Sequence, residues 1–289
     1  MSGAAFEGLE GVVPEQGGHY EQGREMKSCP LEVFEALVKA HLVYERENSR
    51  DWSHRSVESA FYAHEENLER FTSILKDASC GGPFDAQGFL DDIVWLSNDS
   101  RISLKSSLLD DTLQALYALG YNNLILDLAL VQEDFAAMSL KGTPESPLCL
   151  KVVGCRPGAT IGDLSEHVKM TGEGDLEHIG YFAEHSEFHV EGTLQEISST
   201  NSRCDFYLRT MAAIMNVYWP RDCRFFLQEE PEREKMPENW ERLFDRLCEN
   251  EVYVANGCGG WTRYVLEKGI IVPEQKPWWR FWEQRGGET

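Results

Sequence analysis

The chain lacks most of the features that assign a function quickly. No stretch of 18 apolar residues occurs in its 289 positions, so no helix is expected to cross a membrane. None of its eight cysteines forms a Cys-x-x-Cys pair, which removes zinc-ribbon chemistry and points to reduced thiols in a cytoplasmic protein. No Gly-Lys-Ser/Thr follows its glycine-rich loop, so the phosphate cradle of nucleotide-binding enzymes is missing. Positive charge is scarce: 27 Lys and Arg stand against 49 Asp and Glu, a net charge of −22. Such a surface repels phosphate backbones and anionic lipid, so neither nucleic acid nor a membrane is expected as partner. Residues 1–28 hold six glycines and no apolar core run, and read as a flexible leader without a secretory signal.

What is present falls into two textures. Residues 29–120 carry helical periodicity. Pro30 opens a first helix, with Ser28 placed to cap it and Leu31, Phe34, Leu37, Val38 and Leu42 on one face. A second helix runs from about Ser56 to Asp77 and stops at Cys80-Gly-Gly-Pro83. His64 falls on its apolar stripe and reads as a packed or boundary histidine. Phe89, Ile93, Val94 and Leu96 mark a third helix, and Leu108–Leu119 a fourth. After Gly120 the period drops to two, the signature of strand.

From Leu150 to Thr210 the sequence repeats itself with an 18-residue period. Ile161-Gly162, Ile179-Gly180 and Ile197-Ser198 share that spacing, as do Met170, Phe188 and Phe206. A fixed period means stacked similar units, here the rungs of a β-solenoid. Val152, Met170, Phe188 and Phe206 are expected in one inward column, with Lys151, Lys169, Glu187 and Asp205 facing water. The Ile-Gly pair reads as a corner in which isoleucine fills the core and glycine takes the turn angle. Cys223, Phe225 and Leu227 repeat the Cys204/Phe206/Leu208 column with a one-residue insertion, extending the solenoid by a rung.

The rung Ile179-Gly180 to Glu191-Gly192, with Phe188 and Val190 in its strand, resembles those of the β-helix in the C-terminal glycine-rich domain of glutamate synthase large subunits. It is similar also to the C subunit of formylmethanofuran dehydrogenase. The resemblance covers about residues 148–210, lacks the Gly-Gly before the strand (His185-Ser186 stand there) and has Ser198 in place of a corner glycine. It implies a structural, subunit-contacting element and carries over no catalytic residue. On one side in three, Ile161-Gly162-x-x-Ser165 and Ile179-Gly180-x-x-Ala183 also match the hexapeptide helix of acyltransferases.

Chemistry-bearing candidates are few. His167 and His185, one period apart, stack on adjacent rungs beside Glu166 and Glu184, and are the candidates for a metal or a general base. Cys258, in Asn256-Gly-Cys-Gly-Gly260, is a candidate nucleophile or a buried thiol in a tight turn. His189 and Tyr207 form an outward column next to Thr171. With Trp278, Trp279 and Trp282 of the tail, they are candidates for partner contact.

The sequence therefore predicts an α+β protein: leader 1–28, helical part 29–120, β-solenoid 121–227, and a helical cap with a Trp-rich tail over 228–289. Trp240, Leu243, Phe244 and Leu247 are expected to line the cap helix. The expected function is a non-enzymatic scaffold contacting a protein partner or a second copy, without a cofactor. The alternative is an enzyme using the outward histidine face for metal-assisted hydrolysis or acyl transfer.

Overall fold

The computed structural model describes residues 31–48, 57–79, 84–99, 106–129, 136–198, 200–210, 214, 216–230, 240–244, 248–267 and 270–274. Four helices come first: α1 (Leu31–Asn48), α2 (Val57–Ser79), α3 (Ala86–Asp99) and α4 (Ser106–Ala118). Most positions of the faces predicted by spacing are buried, including Phe34, Leu37 and Val38 on α1, Phe71 and Leu75 on α2, and Phe89, Ile93 and Val94 on α3, but Leu42, expected on the α1 face, is exposed where the helix runs past the core. Among the described residues no helix is long and apolar enough to cross a membrane.

The strands are β1 (Asn123–Asp127), β2 (Ala136–Met138), β3 (Leu148–Asp163), β4 (Val168–Ile179), β5 (Glu187–Ile197), β6 (Asp205–Leu208), β7 (Asn216–Val217), β8 (Arg224–Leu227), β9 (Glu251–Ala255), β10 (Trp261–Glu267) and β11 (Ile270–Pro273). They form one sheet in the order β1-β3-β4-β5-β6-β8-β9-β10-β11, with β2 also on β3 and β7 also on β5. Every pairing from β1 to β9 is parallel. Parallel strands stacked in chain order at a repeat spacing are the coils of a solenoid.

The repeat period is the register itself: β4 and β5 pair from Lys169 opposite Glu187 to Ile179 opposite Ile197. The first step is longer. Leu148 faces Val168, and the offset relaxes to the regular period at Thr160 opposite His178 and Ile161 opposite Ile179, through a series of irregularities. The inward column is accordingly Leu150, Met170, Phe188, Phe206, Phe225 and Val252, not one containing Val152, which faces Gly172. By the same shift Cys149 takes the place expected of Lys151 opposite Lys169. Every residue of the inward column is buried. Its phenylalanines stack, with ring centroids 5.4 Å apart for Phe188–Phe206 and 5.0 Å for Phe206–Phe225.

Each coil turns on two left-handed residues. One column is Leu164, Phe182, Thr200 and Trp219, and the other is His167, His185, Arg203, Asp222 and Glu249, all at positive φ. Between them single parallel bridges join Lys141, Glu166, Glu184, Ser202 and Arg221. The Ile-Gly corner is formed as expected: Gly162 has φ 82°, and a Cβ there would come within 2.3 Å of the Phe188 ring. Asn201, fully buried, holds the next corner. It donates to the carbonyls of Ser198 (3.0 Å) and Gly180 (3.3 Å) and accepts from the Ala183 amide (3.1 Å).

The helical layer grips the start of the sheet through two glutamine side chains. Gln87 on α3 donates to the Ile125 carbonyl (2.7 Å) and accepts from its amide (2.8 Å). Gln114 on α4 makes the same reciprocal pair with Lys141, at 2.8 Å in both directions. Each amide side chain thus presents the donor and acceptor of one strand residue to an edge that would otherwise stay open.

At the other end the sheet continues past Leu227. β9 stacks parallel on β8, with Arg224 opposite Glu251, and β10 and β11 then fold back antiparallel. The helical element here is a short 3-10 segment, Trp240–Phe244, with Trp240 and Leu243 buried and Phe244 packed on the core. Leu247 lies outside the described residues.

Candidate functional site

Because side chains alternate along a strand, the columns beside the buried phenylalanines face outward. The next column reads Thr171, His189, Tyr207, Phe226 and Tyr253. From His189 onward it is a continuous ring stack. His189–Tyr207 centroids are 4.3 Å apart with planes at 2°, Tyr207–Phe226 4.5 Å at 7°, and Phe226–Tyr253 5.1 Å at 11°. Trp261 on β10 meets Phe226 edge-on at 5.2 Å and remains 42% exposed. The four stacked residues are half-buried, largely by one another. Stacked rings spaced by the rung repeat turn their edges to solvent, and only Trp261 interrupts that geometry.

A charged column runs alongside: Lys169, Glu187, Asp205, Arg224 and Glu251. Its members neutralise one another. Lys169 contacts Glu187 at 3.0 Å, Arg224 holds Asp205 through two hydrogen bonds, and Arg263 on β10 reaches Glu251 at 3.2 Å. His189 is tied to the Glu187 carboxylate at 2.7 Å. Burial alone would raise the Glu187 pKa, but the bonds from His189 and Lys169 outweigh it and hold the carboxyl below its ordinary value. Tyr207 is shifted upward by burial, with the Glu187 and Asp205 charges adding to it. On a protein of net charge −22, this face is a locally neutral, aromatic-centred strip.

The sequence brought His189 and Tyr207 together correctly but missed Phe226, Tyr253 and Trp261, which follow at longer steps or on an antiparallel strand. His167 and His185 are neighbours as expected, stacked at 5.0 Å and 15°. Their setting is structural: both occupy left-handed corner positions, where histidine is enriched several-fold among non-glycine residues. The Arg203 guanidinium, which can only donate, approaches His185 Nε2 at 3.3 Å. A fixed cation on the free nitrogen opposes a bound metal ion. Glu166 lies 3.7 Å from His167 Nε2, beyond a good hydrogen bond. Among the described residues no three His, Cys, Asp or Glu side chains converge as a metal site.

Cys258 lies in the hairpin turn between β9 and β10, where the Asn256 side chain accepts from the amides of Cys258 (3.2 Å) and Gly260 (2.9 Å). The tight turn is as expected; the thiol, expected inside it, is exposed. The buried thiols are elsewhere. Cys204 and Cys223 neighbour each other on successive rungs, and the bond with Cys223 together with burial pushes the Cys204 thiol upward. Burial raises Cys155 to about 11. The side chain of His64, and Trp278, Trp279 and Trp282, lie outside the described residues. No family model, characterised protein or solved structure matches this chain.

Proposed function

We propose that the protein is a scaffold whose solenoid presents the strip His189–Tyr207–Phe226–Tyr253–Trp261 to a protein partner. The observation that carries this reading is the strip itself: a flat row of aromatic edges, bordered by charges already paired, ending in an exposed tryptophan. A face of this composition is desolvated at little electrostatic cost, and tryptophan and tyrosine are the residues that dominate protein contacts. The likeness of the rungs to subunit-contacting β-helices points the same way. Chemistry at the histidines is disfavoured by the company they keep: His185 faces an arginine and His189 is tied to Glu187.

The test is capture of complexes by chemical crosslinking from the native cell, with the full chain and with a Tyr253→Ser/Trp261→Ala variant, followed by light scattering on the purified complex. A defined partner recovered with the full chain and lost with the variant supports docking. Equal recovery with both, or a turnover activity in a protein that binds nothing, rejects it.

A further inference from the structure

A second surface carries an inference that goes beyond the aromatic strip and does not depend on it. At one corner of the solenoid Leu164, Phe182 and Trp219 occupy successive positions of the left-handed column, with only Thr200 between them. Each is about half exposed, at 48%, 47% and 49%, and Tyr181 packs edge-on against Phe182 while remaining 43% exposed. The left-handed backbone favours none of these choices. A left-handed position favours glycine, asparagine or aspartate, and bulky apolar side chains there are strained. About half of each side chain stays in water. Ordinary corner residues stand a little further along, where His, Arg, Asp and Glu occupy the equivalent column. The apolar residues recur along rungs stacked at ~4.8 Å spacing, so they form a ridge roughly 14 Å long.

We propose that this ridge is the two-fold interface of a homodimer in which two solenoids pack antiparallel. The occupant is identified by complementarity that only a second copy supplies. Beside the ridge the bridged column reads Lys141, Glu166, Glu184, Ser202, Arg221, and over the four rungs that carry the ridge it passes from acidic Glu166 and Glu184 to basic Arg221. A two-fold axis perpendicular to the solenoid, passing between the Phe182 and Thr200 rungs, sets each column against its own reverse. Glu166 then faces Arg221 of the other copy at both ends, and Glu184 faces Ser202. The same operation places the Phe182 ring over the small Thr200 side chain, twice, and Leu164 over Trp219. A self-complementary patch of this kind is what a closed two-fold contact requires. The alternative centre, on the Phe182 rung, fails on charge: it would set Glu184 against itself and Lys141 against Arg221. Among the described residues neither Glu184 nor Arg221 is engaged in an ion pair within its own chain.

The contact is modest. A ridge of this length with its flanks buries on the order of 1,000 Å² in total, the lower limit for a specific interface, so dissociation in the micromolar range is expected. Sedimentation or light scattering over a concentration series should show the 33.0 kDa chain passing to twice its mass. Phe182→Asn, which suits the left-handed backbone and so keeps the fold, should weaken the dimer at least tenfold. Glu166→Arg and Arg221→Glu should each weaken it similarly, and the double exchange Glu166→Arg/Arg221→Glu should restore it. A single-chain mass up to about 300 µM would overturn the proposal. So would a dimer indifferent to Phe182→Asn, or one that the double exchange fails to restore.

Discussion

Replacing Gln114 tests whether the helical layer sets the solenoid in place. Its side chain is buried on α4 and pairs with both the amide and the carbonyl of Lys141 at 2.8 Å. Gln114→Leu keeps the bulk and removes both bonds, leaving two backbone groups at a half-buried site without this partner. Each such group costs about 1–3 kcal/mol, and partial access of water favours the lower half, so a loss of about 2–4 kcal/mol is expected. For a chain of this size that corresponds to a fall in Tm of roughly 5–12 °C. Gln87→Leu removes the same reciprocal pair from Ile125, but at an exposed position, and should cost no more than about 1 kcal/mol. Gln114→Glu adds a distinguishing signature. Above neutral pH its carboxylate still accepts from the Lys141 amide but sets negative charge against the Lys141 carbonyl. A buried carboxyl has a folded pKa above its unfolded value, so its contribution is present at low pH and lost as pH rises. The deficit of this variant relative to wild type should therefore shrink on acidification. Differential scanning calorimetry of the three variants, with hydrogen exchange at the Lys141 amide, decides the matter. Equal stability of Gln114→Leu and wild type, or equal losses at positions 87 and 114, would refute the reasoning.

Three further outcomes are expected. Asn201→Ala strips three hydrogen bonds from a fully buried corner and should lower stability by about 2–4 kcal/mol, read as a shift in urea midpoint without a change in slope. His178 is raised above its ordinary value of 6.5 by its bond to Asp163, against the opposing effect of burial. Its stabilising contribution is complete below the unfolded pKa and is lost as pH rises through the folded one, so the gap between wild type and His178→Gln should be widest in acid and close in mild alkali. Zinc titration followed by calorimetry should show no stoichiometric site that His167→Ala or His185→Ala abolishes; one that either change removed would return the histidine pair to the enzymatic reading.

The part of the fold visible in the sequence is the part that a strand alternation and a fixed repeat impose together. Phe188 and Phe206 announce their column because both conditions hold there. Val252 does not announce itself, since a much longer stretch of chain separates it from Phe225, yet it continues the same column. Tyr253 was hidden from the aromatic strip for the same reason. Asn201 reads as a surface residue by type, and its burial follows only from the corner groups converging on it. Leu164 and Phe182 were hidden in the opposite sense: apolar residues inside a repeat count as core until the backbone angle at each corner is known. Gln87 and Gln114 carry no pattern at all, because a side chain that imitates a strand is recognised only against the edge it completes.

The lengthening steps of the repeat also say where the molecule tolerates change. From Glu187 to Asp205 the paired strands keep the regular period. The step from Asp205 to Arg224 is slightly longer, and that from Arg224 to Glu251 longer again, yet Arg224 still faces Asp205 on one side and Glu251 on the other. In the steps after β5 the added residues fall in sequence between a strand's end, Leu208 or Leu227, and the next left-handed corner, Trp219 or Glu249, whereas in the first step they fall within β3 itself. The stack therefore keeps its phase through steps of unequal length.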